Sequence, residues 1–170
     1  MKDSIGLDFP NVPYIVDGDV KITDPLAIMV YLCHSYAPEL LGQSIQQKAE
    51  IDMLHMQLKD IRSAMIGQCY ISNDRANLKK NALSKSEALI KHIEGRQYVA
   101  GENLTYLDFI FLELFDFIDF ASEYTFYNSN EKVSNYATRI KLVPQIKSYI
   151  SSERYISAPF NNKIAKINNF

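Results

Sequence analysis

This sequence predicts a mostly helical protein entered through a short β-hairpin, on three observations. Beyond residue 38 apolar residues recur at three- and four-residue spacing rather than alternating. The β-like stretches, Pro13-Tyr14-Ile15-Val16-Asp17 and Val20-Lys21-Ile22, lie close together near the start. Asp-Gly and Ala-Pro punctuation then separates hairpin, first helix and helical remainder.

Each element follows in order. Gly18 after Asp17 supplies the positive φ of a tight turn, so the two β-like runs pair as a hairpin. Thr23 or Asp24 caps a helix with Pro25 in its first turn, and Ala37-Pro38 stops it near Tyr36. From residue 43 to about 70, the stripe Ile51, Leu54, Leu58, Ile61, Met65 predicts a long helix, about 40 Å at ~1.5 Å per residue. Ser72-Asn73-Asp74 breaks the chain before a second long helix through Leu83, Ala88, Leu89 and Ile93, ended by Gly95. Thr105 and Asp108 stand at the spacing of a capping box, in which two helix-start amides gain side-chain acceptors. The helix they start, Phe109-Ile110-Phe111-Leu112-Glu113-Leu114-Phe115, is apolar nearly all round and is expected at the centre of the core. Asp116 and Asp119 share one of its faces and read as a solvated acidic rim. Helices over 131–141 and 144–152 and an irregular tail over 155–170 complete the chain.

Composition bounds the function. The 170 residues suit one domain, or one domain with a small appendage, and 47% hydrophobic with 22% charged residues argues against disorder. A net charge of −2 with no dense Lys/Arg block predicts no nucleic-acid partner. No apolar run nears the ~20 residues of a membrane span, and Met1-Lys2-Asp3-Ser4 opens no signal peptide. The expected location is the cytoplasm or an organelle lumen. Cys33 and Cys69 sit inside apolar helical patterns and read as buried thiols, and His34, His55 and His92 lack ligand spacing, so no metal is expected.

Several local sequences carry a resemblance. Ile5-Gly6-Leu7-Asp8-Phe9-Pro10-Asn11-Val12-Pro13-Tyr14-Ile15-Val16-Asp17-Gly18 resembles mu-class glutathione S-transferases, as does Lys21-Ile22-Thr23 followed by Ala27-Ile28. Asp60-Ile61-Arg62 with Cys69-Tyr70, Val99-Ala100-Gly101 with Thr105-Tyr106-Leu107-Asp108-Phe109, and Ser152-Glu153-Arg154-Tyr155-Ile156 with Pro159 fit the same family in the same order. The resemblance implies a partial thioredoxin-like, glutathione-binding domain over 1–38 (a truncated hairpin plus helix) and the family's all-helical C-terminal domain over 39–170. It also implies that the match begins at the third strand, after the strand whose end carries the family's catalytic tyrosine. No catalytic residue is therefore expected here.

The resemblance transfers some contacts and withholds others. Asn11 and Val12 match the loop that pairs with the cysteinyl part of glutathione, before a cis-proline at Pro13. Asp60 matches the carboxylate that reaches across the dimer to the ligand's amino group. Asp24 and Pro25 replace the Gln-Ser pair that holds the γ-glutamyl carboxylate; proline lacks an N–H, and the added negative charge opposes an anion. Leu112 falls at the second-substrate tyrosine and cannot donate a hydrogen bond. Phe9 stands where an aromatic inserts between two helices of the second subunit. A plainer role is open to each: Pro13 as a turn residue, Asn11 as its cap, Asp60 as a partner of Arg62 or Lys59, and Phe9 folded onto its own hairpin.

Two functions of different class follow. One is a non-catalytic interaction or structural subunit of a homodimer or larger assembly, with no cofactor and glutathione at most a vestigial ligand. The other is an active glutathione transferase, conjugating glutathione to electrophiles, represented by an N-terminally truncated chain.

Overall fold

The structure, a computed structural model, describes residues 6–168. Ile5 of the matched run, and Asn169 and Phe170 of the tail, lie outside them. Strands β1 (Tyr14–Asp17) and β2 (Val20–Thr23) pair antiparallel, Tyr14 opposite Thr23 and Asp17 opposite Val20. Gly18 turns between them at φ 57°. Helix α1 (Pro25–Tyr36) is tied back to the hairpin by two hydroxyls: Tyr31 and Tyr36 both donate to Asp17 Oδ2, at 2.8 and 2.9 Å.

A single 3₁₀ turn, Pro38–Leu41, which periodicity does not reveal, leads to α2 (Ile45–Ile71). Gly42 between them sits at φ 88°, where a Cβ would come 2.9 Å from Ile51 Cδ1, so the close approach needs glycine. The long helix starts two residues later than its apolar pattern predicts, because Ser44 takes the cap and accepts from the Gln47 N–H at 3.1 Å. Helix α3 (Arg75–Ile93) is capped by Asp74, and α4 (Tyr106–Ala121) by Thr105. The single-turn α5 (Phe126–Ser129), unforeseen in the sequence, precedes α6 (Glu131–Lys141) and α7 (Pro144–Ile150). Helix α7 ends two residues short of its predicted limit, with Ser151 as its cap.

The core is built around α4, as its all-round apolar pattern predicts. Phe111, Phe115, Ile118 and Ala121 are fully enclosed, and Phe115 meets Phe111, Phe126 and Tyr136 at ring-centroid distances of 5.8, 5.6 and 6.0 Å. At its start, Asp108 Oδ2 accepts from the Thr105 N–H at 2.8 Å and the Thr105 hydroxyl at 3.1 Å. Its Oδ1 accepts from the Val99 N–H at 2.8 Å and the Tyr136 hydroxyl at 2.6 Å. One carboxylate thus joins the loop before α4, the start of α4, and α6. Burial raises its pKa, while these donors pull it back down.

The tail has no helix or strand among its described residues, yet it is anchored. The N–H groups of Lys166 and Ile167 both donate to the Cys69 carbonyl, at 2.8 and 3.1 Å, near the end of α2. Ile167 is fully buried, and Asn161 Nδ2 donates to its carbonyl at 3.1 Å. Cys33 and Cys69 are buried free thiols whose pKa values burial raises.

Candidate functional site

The hairpin and the start of α1 present the first group of residues. The Val12–Pro13 peptide is cis, and both Asn11 and Val12 are exposed. The Thr23 hydroxyl donates to the Phe9 carbonyl at 3.2 Å, fixing the loop by its backbone. The Phe9 side chain is 86% exposed, so it does not fold onto its own hairpin.

Asp24 is the most constrained member of the group. It sits at φ 78°, left-handed backbone that a non-glycine residue rarely adopts. From there its Oδ1 accepts from the Leu26 N–H at 2.9 Å and the Ala27 N–H at 3.4 Å. The first turn of α1 therefore already holds a carboxylate, its own. Pro25 beside it has no N–H to offer.

Asp60 lies exposed on α2, and the plainer role open to it, pairing with Arg62, is not seen among the described residues. Arg62 instead makes a forked bond to Glu113 on α4, with Nη2 at 2.8 Å and Nε at 3.2 Å from Oε1. Lys59 is not ion-paired with Asp60 among the described residues either. Leu112 is buried on α4 and lines a cleft with residues of the 144–160 segment; none of residues 6–24 joins it there.

At the α2–α4 seam the His55 and Tyr106 rings lie 5.8 Å apart, both buried. Burial lowers the His55 pKa, helped by the charge of Lys59, and pushes Tyr106 up to about 12. The acidic pair is not the solvated rim its spacing suggests. Asp116 Oδ1 accepts from the Tyr127 hydroxyl at 2.7 Å and from Lys141 Nζ at 2.8 Å, and Asp119 Oδ1 accepts from the Tyr127 N–H at 3.1 Å. Partners 8 to 25 residues away create this cluster, and only their side-chain types were visible beforehand. Among the described residues, no group of three His, Cys, Asp or Glu converges to hold a metal ion, and no helix is long and apolar enough to cross a membrane.

The profile of the glutathione S-transferase C-terminal domain matches residues 59–153, more than half of the chain. The chain is 34% identical over 162 residues to the class-mu 26 kDa glutathione S-transferase isozyme of Schistosoma japonicum, covering 93% of this chain and 72% of that one. It belongs to the glutathione S-transferase family. Mouse glutathione S-transferase Mu 4 is 29% identical over 168 residues, covering 96% of this chain and 75% of its own. Among solved structures, the glutathione S-transferase Blo t 8 superposes with a TM-score of 0.86 at 29% identity, over 99% of this chain and 80% of that one. The pi-class enzyme of Onchocerca volvulus, 20% identical with a TM-score of 0.81 over 96% and 81% of the two chains, shares the fold. The all-helical transferase C-terminal domain is thus confirmed, preceded by a two-stranded hairpin and α1.

Proposed function

We propose that this glutathione S-transferase-family chain does not conjugate glutathione and serves as an interaction or structural subunit, in a homodimer or with a protein partner. The observation that carries the reading is Asp24. Where the family resemblance puts the γ-glutamyl carboxylate, the amides of α1 already bind the Asp24 carboxylate, and Pro25 removes another donor. A second carboxylate there would meet like charge and occupied donors.

The test is direct. Calorimetry with glutathione is expected to show no saturable binding, and 1-chloro-2,4-dinitrobenzene is expected to react with glutathione at the solution rate in the chain's presence. Asp24→Gln with Pro25→Ser should bring binding up. Conjugation well above the solution rate would overturn the reading.

Phe9 supplies the assembly half of the proposal. Its ring is 86% exposed on a loop pinned by Thr23, and full burial of such a side chain contributes about 1.5–3 kcal/mol. Its pocket lies between α2 and α3 of a second copy or of a substitute partner, with Asn11, Val12, Pro13 and Asp60 as retained scaffold. Phe9→Ser should shift light scattering toward the smaller species while circular dichroism stays unchanged; equal assembly in both forms would remove Phe9 from the interface.

A second reading, an active transferase, is favoured by Asp60, which is exposed and has no ion pair among the described residues. Coding sequence upstream of Met1 that supplies a strand ending in tyrosine would support it.

A further inference from the structure

Helix α4 carries three carboxylates at three-residue intervals, Glu113, Asp116 and Asp119, along one wall of a cleft of about 670 Å³. That volume falls within the range of small-molecule sites. The 144–160 segment forms the facing wall and brings Tyr149 and Tyr155, whose rings meet edge to face at 5.7 Å and 84°. Phe160 and Tyr127 add further aromatic surface.

One cation already occupies part of this setting. Lys141 Nζ lies 2.8 Å from Asp116 Oδ1 and 5.0 Å from the centre of the Tyr127 ring, a carboxylate and a π-face acting together. The cleft's charges do not cancel. Lys141 answers Asp116, and Arg62 answers Glu113 with a fork that is roughly half exposed. The Asp119 carboxylate accepts from the neutral Tyr127 N–H and has no ion pair among the described residues. Across the cleft, burial first and then the charge of Asp116 raise the pKa of Tyr155, with Lys141 opposing them. An anion would meet this negative field, whereas a strongly hydrated small cation would gain little from the apolar rings. A weakly hydrated ammonium with an apolar body gains from both.

We propose that the cleft between α4 and the 144–160 segment binds a hydrophobic organic cation, an ammonium carrying an aromatic or alkyl group. Its charge is neutralised by Asp119, and its head and body lie against the tyrosine rings. None of residues 6–24 lines the cleft, whereas Leu112, at the position the resemblance gives the second-substrate tyrosine, does; binding of the cation is therefore measured separately from binding of glutathione.

The experiment titrates the 170-residue chain with benzyltrimethylammonium, followed by calorimetry and by the shifts of its methyl protons. Benzyl alcohol serves as neutral comparator and phenylacetate as anionic comparator. The cation is expected to bind saturably and more weakly in added salt, with both comparators at least about tenfold weaker. Asp119→Asn keeps the acceptor for Tyr127 and removes the charge; it should weaken the cation and leave benzyl alcohol unchanged. Tyr149 is 44% exposed, so Tyr149→Leu should spare the fold, checked by circular dichroism, and weaken the cation roughly two- to thirtyfold, while Tyr149→Phe restores it. Failure to saturate, equal binding of benzyl alcohol, or unchanged affinity in either Asp119→Asn or Tyr149→Leu overturns the proposal.

Discussion

Helix α4 and the hairpin both carry large apolar side chains but stand in opposite environments. Eleven of the sixteen residues of α4 are buried, whereas between residues 6 and 44 only Cys33, Leu41 and Gly42 are. Val12, Val16 and Tyr14 remain 58, 52 and 44% exposed. Part of the difference lies in neighbours. Helix α4 is enclosed by α2, α3, α5 and α6, while the two-stranded hairpin packs mainly against α1 among the described residues. The free energy of this fold is therefore concentrated in the helical region, and the hairpin's apolar side chains remain available to another surface.

The largest expected effect tests that concentration. Phe115→Ala removes a fully buried ring among three aromatic neighbours and should cost about 3–5 kcal/mol in urea unfolding, while Val16→Ala should stay within about 0.5 kcal/mol. Equal losses would show that the hairpin is as integral as the core.

Next in size is Asp108→Ala. On spacing alone, Thr105 and Asp108 are equal members of a cap, each worth about 1 kcal/mol. Structurally they are unequal. Asp108 accepts four bonds, and its loss strands the Tyr136 hydroxyl and the Val99 N–H inside the protein. About 3 kcal/mol is expected for Asp108→Ala against about 1 for Thr105→Ala. Matching unfolding midpoints would mean that the links to Val99 and Tyr136 contribute nothing.

Asp108 also shows where sequence reading stops. Its role at the helix start depends on a residue three positions away and is legible; its bond to Tyr136 spans 28 residues and is not. The same divide runs through the chain. The long helices α2 and α3 and the apolar α4 follow from periodicity, whereas α5 is one turn held by surrounding structure, after Glu123 and Tyr124 at φ 61° and 60°. Asp24 was legible both as a replaced residue and, beside Thr23, as a candidate cap of α1; its left-handed backbone at φ 78° was not. Asp116 and Asp119 looked like a rim because Tyr127 and Lys141 reach them only through the packing of α5 and α6.

Smaller effects sharpen the comparison at its boundary. Asp24→Ala, which removes the cap of α1, should cost about 1 kcal/mol, and Asp24→Gly less because glycine relieves the left-handed backbone. Hydrogen exchange should place the loss in α1 and leave α4 amides protected. The smallest effect concerns His55, whose pKa in the folded state lies below the usual value because of burial. The unfolded chain then binds the proton more readily, so the contribution to stability is present above about pH 6.5 and is lost as pH falls through the lowered value. His55→Leu should flatten that slope in denaturation curves taken across this range; an unchanged slope would assign it elsewhere.

The anchoring of the tail has a consequence for how the chain is made. The Cys69 carbonyl receives its donors from Lys166 and Ile167, and Lys166 Nζ reaches the Ile71 carbonyl across 95 residues of sequence. Emerging from a ribosome, α2 would have to wait for a further 95 residues of chain before its last turn is closed. The latch is thus synthesised 95 residues after the turn that it closes. A fusion that replaces Lys166 and Ile167 would leave that turn open, whereas one joined after Asn168 would keep its donors.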